Sequence, residues 1–334
     1  MTRARRELVD INTTSYYHCI NRCVRRAFLC GEDQFSGKNY EHRKIWVVDR
    51  LAELAFAFAI DVCAYAVMSN HYHLVLRVDQ QKAQDWSEEQ IINRWQRLFK
   101  LPVLIERYRN QQTGDAEDTI AQQVIEQWRE RLMDLSWYMR VLNEHLARKA
   151  NEEDDCKGRF WEGRYKSQAL LDEAAVLTCM SYVDLNPIRA GMAETPEMSD
   201  FTSIQQRIVQ LQHESTTEEG MQENNFIPLV PLVKASDDQH VHILGYSLHD
   251  YMELVNWTGR IVLQGKRGSI PKDTPTIFHR FELNPEAFVS HMQGHQHKLN
   301  LPNALGRIKK MREHARKLGM VFIRGYKQSQ MLYR

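Results

Sequence analysis

The sequence predicts an α+β fold, and three observations predict it. YYHCINR (residues 16–22) alternates like a half-buried strand, and Glu41 to Phe58 carries apolar residues at helical spacing over a helix-sized length. Asp61 to Val67 and His71 to Val78 then read as two strands joined by a short Ser69-Asn70 turn, a hairpin signal. Continued along the chain, the order becomes strand–helix–strand–strand–helix–strand–helix.

After the hairpin, Trp86 to Tyr108 has helical pattern with a break near Pro102, and helical pattern resumes from Thr119 through Trp137 to Ala150. Tyr165 to Leu171 (YKSQALL) is a candidate strand. Asp172 can cap a helix that ends at Asn186, because Pro187 disfavours helical geometry in the residue before it. Gln212 to Asn225 loses periodicity and turns polar, which predicts a linker or exposed loop. Beyond it, Ser247 caps a helix to Trp257, and Asn303 to Leu318 reads as a basic amphipathic helix closed by Gly319. The expected organisation is residues 1–211 as one domain, 212–225 as a linker and 226–334 as a mainly helical extension.

A chain of 334 residues, 43% hydrophobic and 26% charged, has the composition of a packed globular protein. Its longest apolar stretch, Leu51 to Met68, is interrupted by Glu53 and Asp61 and is a poor membrane span. No signal peptide opens the sequence, and six cysteines without a C-x-x-C pair point to reduced, structural thiols. A cytoplasmic location with no membrane partner is therefore expected. The net charge of +1 conceals segregation: residues 300–334 hold nine Lys or Arg against the single acid Glu313, whereas Asp115 to Asp134 holds six acids. Charge divided in this way suits a face that binds a polyanion; two solvated basic helices are the plainer explanation.

Three segments carry candidate chemistry. In VMSNHYHLVL (residues 67–76), His71 and His73 stand two apart on a strand and project from one face. Paired imidazoles on a rigid backbone suit a divalent metal. The same spacing recurs at His240/His242 and His295/His297, so spacing alone does not choose. Context favours the first pair, because a polar side chain without a partner is costly in an apolar strand. In SYVDLNPIRAG (residues 181–191), Tyr182 and Asn186 are four apart and share a helical face, a phenolic nucleophile beside a neutral oxygen donor. A packed tyrosine and a capping asparagine would look the same, and Tyr138 and Tyr165 are rival nucleophiles. In CKGRFWEGRYKSQ (residues 156–168), Arg159, Arg164 and Lys166 interleave with Phe160, Trp161 and Tyr165, a pattern that suits phosphates and unpaired bases as well as an ordinary strand edge.

Together, MSNHYHLVL, GRFWEGRYKS and YVDLNPIRAG, in that order, resemble the REP-associated tyrosine transposases of bacteria, single-tyrosine members of the HUH group. YYHCINRCVRRAFL resembles the family's first strand and the basic loop after it, and the resemblance spans about residues 12 to 195. It implies a ferredoxin-like antiparallel sheet flanked by helices, with His71, His73 and the polar Asn186 binding Mg²⁺ or Mn²⁺ and Tyr182 as nucleophile. It also implies a single-stranded or hairpin DNA partner of the REP-like kind, hence a nucleoid-associated protein, acting as monomer or homodimer. Arg22, Arg25, Arg26, Arg159, Arg164 and Lys166 are then candidates for gripping DNA, with Arg307, Lys309 and Lys310 of the basic helix as an accessory clamp. The chain departs from the family in its bulky Tyr72 between the histidines, in the acidic insertion around 110–135, and in its carboxy-terminal third.

The activity implied is DNA transposition: a metal-dependent nick of hairpin-bearing single-stranded DNA through a covalent 5′-phosphotyrosine, and rejoining by reversal. Two other functions fit the same residues. One is a domesticated hairpin-binding protein whose site is idle. The other is a metal-dependent phosphodiesterase that uses water as nucleophile.

Overall fold

A computed structural model describes residues 9–24, 29–32, 37–215, 226–232, 244–264, 273–294 and 301–333. Strand β1 (Tyr16–Arg22) is followed by helix α1 (Arg43–Ala57), then by β2 (Ile60–Val67) and β3 (His71–Val78), the expected hairpin. Short helices α2 (Gln80–Gln84), α3 (Glu88–Gln96) and α4 (Val103–Arg109) lead to α5 (Asp115–Leu132) and α6 (Leu135–Glu153). Next come β4 (Lys166–Leu170), α7 (Glu173–Asp184), the single turn α8 (Asn186–Arg189) and α9 (Ser203–Ser215). The carboxy-terminal part adds α10 (Leu248–Gln264), α11 (Ile277–Arg280), α12 (Pro285–Gln293), the two-residue β5 (Ala304–Leu305), α13 (Ile308–Lys317) and α14 (Tyr326–Leu332).

The sheet runs β2-β3-β1-β4-β5; β5 is parallel to β4 and the other pairs are antiparallel. An α+β fold with a mainly antiparallel sheet flanked by helices is therefore what the sequence forms. Because side chains alternate along a strand, the register assigns each residue to a face. Ile20 lies opposite His73 and His18 opposite both Val75 and Gln168, so the two histidines of β3 share a face with His18. The other face carries Tyr17, Cys19, Tyr72, Leu74 and Leu76, buried with Val47 and Leu51 of α1 and Tyr138 and Leu142 of α6. Each such leucine stabilises the fold by roughly 1.5–3 kcal/mol.

The histidine face is covered by α7. Small side chains, Ala64 and Ala66 of β2 with Ala174 and Ala175 of α7, are buried in that core and let the helix lie close. Asp172 caps α7 as expected, accepting the amide of Ala175 at 2.9 Å. Two residues apart on a helix means nearly opposite sides, so Asp184 points away from Tyr182. There its carboxylate accepts Ser203 Oγ (2.5 Å), the Ile204 amide (3.0 Å) and the Tyr251 hydroxyl (2.5 Å). That network ties the end of α7 to the start of α9 and to α10. Burial raises the Asp184 carboxyl to about 6 even so.

The carboxy-terminal residues pack onto the same core: β5 extends the sheet at β4, and Leu254, Phe288 and Tyr333 bury with α7. Several boundaries differ from expectation. The linker expected from 212 begins inside α9, and 216–225 lie outside the described residues. The basic helix starts at Ile308 rather than Asn303, because Asn303 and Leu305 accept the amides of Ala169 and Leu171 across the sheet edge, and Gly306 then turns at φ +158°. The helix begun at Ser247 continues past Trp257 to Gln264. The acidic insertion is helical, with Trp128 of α5 stacked on Trp95 of α3 at 4.7 Å. All six cysteines are free thiols, and only Cys156 is exposed. Among the described residues no helix is long and apolar enough to cross a membrane.

Asp184→Ala strands three buried donors at once. It is expected to lower unfolding stability by about 2–4 kcal/mol, read as a lower urea midpoint with an unchanged slope. An unchanged midpoint would show that the network does not hold α7.

Candidate active site

The two candidates read from separate motifs meet. The ring of Tyr182 lies 5.8 Å from that of His73, edge-on, and the rings of His71 and His73 are 4.9 Å apart. More than a hundred residues separate them in the sequence; β3 supplies the histidines and α7 the tyrosine. The rival tyrosines do not reach this place. Tyr138 is buried on the opposite face, and Tyr165 shares a 3.2 Å hydrogen bond with Ser136 there.

A third histidine completes the cluster. His18 of β1 stacks on His73 at 5.2 Å and shares a 3.0 Å hydrogen bond, Nε2 to Nδ1, while its own Nδ1 faces Gln168 Oε1 at 3.4 Å. This chain of side chains orients His73 so that its Nε2 faces inward, buried and without a hydrogen-bond partner. His71 is steadied through Nδ1 by the Asn70 side chain at 2.7 Å. The turn that makes the hairpin therefore also aims the first histidine.

Helix α8 carries the row forward. Pro187 suits the first turn of a helix and Gly191, at φ +67°, ends it, so NPIRAG is one turn appended to α7. Tyr182, Asn186 and Arg189 are spaced i, i+4, i+7 and lie along one side. The Arg189 guanidinium sits 4.4 Å above the Tyr182 ring, donates to Asn186 Oδ1 at 3.3 Å and to the Gly294 carbonyl at 2.9 Å. Asn186 in turn donates to the Tyr182 carbonyl at 3.2 Å. From above, His291 of α12 lies 5.7 Å from the tyrosine ring. Gln328 of α14 bonds to His291, held there because Gly325 turns at φ +108° where any Cβ would collide with the Ala304 carbonyl. On the side of Tyr182 toward His18, His291 and Leu305, a gap of about 10 Å³ remains, room for a single water at most.

Burial decides the charge of the cluster. It lowers His18 to about 4 and His73 well below the usual histidine range. His71 falls to about 4 through desolvation first, then the nearby Arg22 and Arg189. His291 is likewise lowered to about 4, by desolvation and then by Arg189. Neutral imidazoles are what a metal needs as ligands. The unpartnered Nε2 of His73, beside an oriented His71, fits a divalent ion. Asn186 Oδ1, which accepts one hydrogen bond from Arg189, keeps a second lone pair. Among the described residues no three His, Cys, Asp or Glu side chains form a metal-sized group. A donor set of imidazoles without carboxylate favours Mn²⁺ over Mg²⁺.

The basic candidates separate. Arg22 ends β1 opposite His71, and Lys166 begins β4 on the same face, so both flank the cluster. Arg159 and Arg164 are exposed beside the opposite face. Arg307 is committed to structure, pairing with Glu282 at 3.1 Å and donating its amide to Asp172 at 2.7 Å. Lys310 pairs with Glu313 at 3.5 Å, and Lys309 is exposed. Arg25, Arg26 and the pairs His240/His242 and His295/His297 lie outside the described residues. Sequence reasoning passed over His18 and Arg189, for which the alternation of β1 and the seven-residue step from Tyr182 were the available signals. His291, which could share a helical face with His295 but for Gly294, reads from the sequence as structural or solvent-facing, and packing of α12 brings it to Tyr182 instead.

No protein-family model matches the chain, and no curated protein matches it. Among solved structures it is similar to a REP-associated tyrosine transposase bound to a REP hairpin, with a TM-score of 0.37 and 11% identity over 70% of this chain and 99% of that one.

The histidines make folding sensitive to acid. Their folded pKa values lie below the unfolded value near 6.5, so the unfolded chain binds more protons between about 6.5 and 4 and stability falls as pH drops through that window. Asp184, raised from 3.8 to about 6, pulls the other way, but it is one group against several. In chelator the urea midpoint at pH 5 is expected below that at pH 7, and His18→Gln should flatten the fall. A midpoint indifferent to pH would contradict the buried, neutral cluster.

Proposed function

We propose that the protein cleaves and rejoins single-stranded, hairpin-bearing DNA through a covalent link to Tyr182. The observation that carries this reading is the meeting of Tyr182 with His73 at 5.8 Å, from two motifs that a structural role alone has no reason to bring together. The resemblance of those motifs to REP-associated tyrosine transposases supports the same reading.

In the proposed reaction the Tyr182 oxygen attacks the phosphorus in line. The O–P bond forms, the P–O3′ bond breaks, and the phenol's proton leaves with the 3′-hydroxyl. Because the phosphodiester is conserved as a phosphotyrosine, attack by a 3′-hydroxyl reverses the step and joins strands. His71 and His73 would hold a divalent ion, which would supply neutralisation of phosphate charge. His18 fixes the orientation of His73. Arg189 contributes a fixed positive charge beside the tyrosine, where charge builds in the transition state. Arg22 and Lys166 hold the flanking phosphates.

Denaturing electrophoresis with a labelled single-stranded hairpin tests this directly. The native protein should give a covalent protein–DNA band and Tyr182→Phe none, with hairpin binding retained. A band that survives Tyr182→Phe sinks the assignment of the nucleophile, and free cut product without a band points to a water nucleophile.

Chelation should abolish the covalent band and spare binding, and Mn²⁺ should restore it at lower concentration than Mg²⁺. Cleavage that proceeds in chelator removes the metal from the reading.

The closed geometry favours one second reading. With Tyr182 buried beneath His291 and Arg189, this conformation presents little of its ring to a phosphodiester. A hairpin-binding protein with an idle site would look the same, and would leave the DNA uncut in the experiment above.

A further inference from the structure

On the opposite face of the sheet from Tyr182 lies a cleft of about 460 Å³, within the range of roughly 300–1,000 Å³ typical of small-ligand sites. Met139, Asn143 and Ala147 of α6 form one wall, and Trp161, Arg164 and Tyr165 of the GRFWEGRYK segment form the other. The polar groups of the wall are already spent. Asn143 Oδ1 accepts the Tyr72 hydroxyl at 2.7 Å and Asn21 Nδ2 at 2.6 Å, its own Nδ2 donates to the Met139 carbonyl, and its carbonyl accepts Trp161 Nε1 at 2.9 Å. What this surface offers a ligand is therefore packing and stacking. Trp161 is fixed by that bond and by Tyr72, edge-on at 5.7 Å, so its ring is a rigid platform.

The rim has one sign of charge to spare. Arg140 is neutralised by Glu144 at 2.7 Å, but Arg164 is exposed and, among the described residues, forms no ion pair. An apolar, aromatic slot with one unspent cation at its mouth fits a flat, uncharged ring carried on an anionic backbone. We propose that this cleft binds one unstacked base of single-stranded DNA, with Arg164 on its phosphate.

Its place in the fold connects it to the tyrosine. Consecutive strand residues point to opposite faces, so Asn21 lies in the cleft while Arg22 stands opposite His71 on the other face. The loop that carries Trp161 is stitched to this strand end: the Glu162 amide donates to the Arg22 carbonyl at 2.8 Å, and the Val24 amide to the Phe160 carbonyl at 2.9 Å. A strand anchored by one base in the cleft passes over the end of β1, meets Arg22 and continues to the histidines. The cleft then sets how far from the anchored base the cut falls.

This inference rests on the DNA reading, and its test separates the two. A hairpin whose single-stranded flank carries 5-iodouracil at successive positions is bound to the full-length protein, irradiated, and the adduct mapped by mass spectrometry. One flank position should crosslink to Trp161 or Tyr165. Ala147→Phe, which fills the cleft, should remove that adduct and weaken binding of the flanked hairpin on the order of tenfold, the effect of losing one stacked base. Circular dichroism and the unfolding midpoint report whether the variant is folded; Arg164→Gln, at an exposed position, should weaken binding in the same direction and serves if it is not. Adducts that map elsewhere, with affinity unchanged in either variant, overturn the cleft and leave DNA binding standing. Absence of any binding by the native protein overturns both.

Discussion

The arrangement depends first on a register. In the antiparallel pair of β1 and β3, Ile20 faces His73, and that pairing puts His18 on the diagonal, stacked against His73 and bonded to it. A slip of one residue would turn His71 and His73 toward α1 and α6, where Tyr72 and Leu74 now pack, and would send those apolar side chains under α7. The alternation therefore cannot be shifted for the sake of the site without dismantling two cores. Conversely, the imidazoles are tolerated because each finds a neighbour, His18 and His73 in each other and His71 in Asn70, while His73 Nε2 is left buried without a hydrogen-bond partner.

The second constraint acts from behind the helix. Tyr182 can stand over the histidines only if the end of α7 is held; Leu177, Met180 and Val183 anchor the helix in the core, and its last turn needs a further tie. Asp184 does the holding on the far side, through Ser203, Ile204 and Tyr251. The burial that raises its carboxyl to about 6 shows the desolvation cost of placing an acid there, and three donors offset part of that cost. Residues two apart thus divide the work: Asp184 fixes the rod, and Tyr182 occupies the place over the histidines that the fixing secures.

Local patterns made most of the sheet legible. Strand alternation located β1, β3 and the hairpin, and the H-x-H and Y-x-x-x-N spacings located the side chains that converge, because each depends on neighbours along a single element. His18 was not legible. A lone histidine in an alternating strand carries no signature, and only the β1–β3 register, a long-range fact, brings it to His73. Arg189 was readable by extending the helical step from Tyr182 through Asn186 to i+7, across a proline that suggested a stop; Pro187 instead opens a further turn. Ala304 and Leu305 were read as helix because two residues are too few to show a strand period, and what makes them β is the unpaired edge of β4. The location of α12 and α14 over the tyrosine follows from packing between distant elements, which spacing does not encode.

That cover has a consequence for how the residues could work. Arg189 joins its parts: one nitrogen holds Asn186, another holds the Gly294 carbonyl at the end of α12, and the plane lies on Tyr182. A phosphate arriving at Tyr182 offers a guanidinium a charged oxygen in place of a neutral amide and a carbonyl, and charge-assisted bonds are roughly twice as strong as neutral ones. If Arg189 turns to the phosphate, it releases Gly294 and Asn186 together. The first loosens the end of α12, which carries His291 over the ring; the second frees the Asn186 amide oxygen. On the proposed function, substrate arrival, opening of the cover and release of the Asn186 oxygen would then be one exchange of hydrogen bonds at a single side chain.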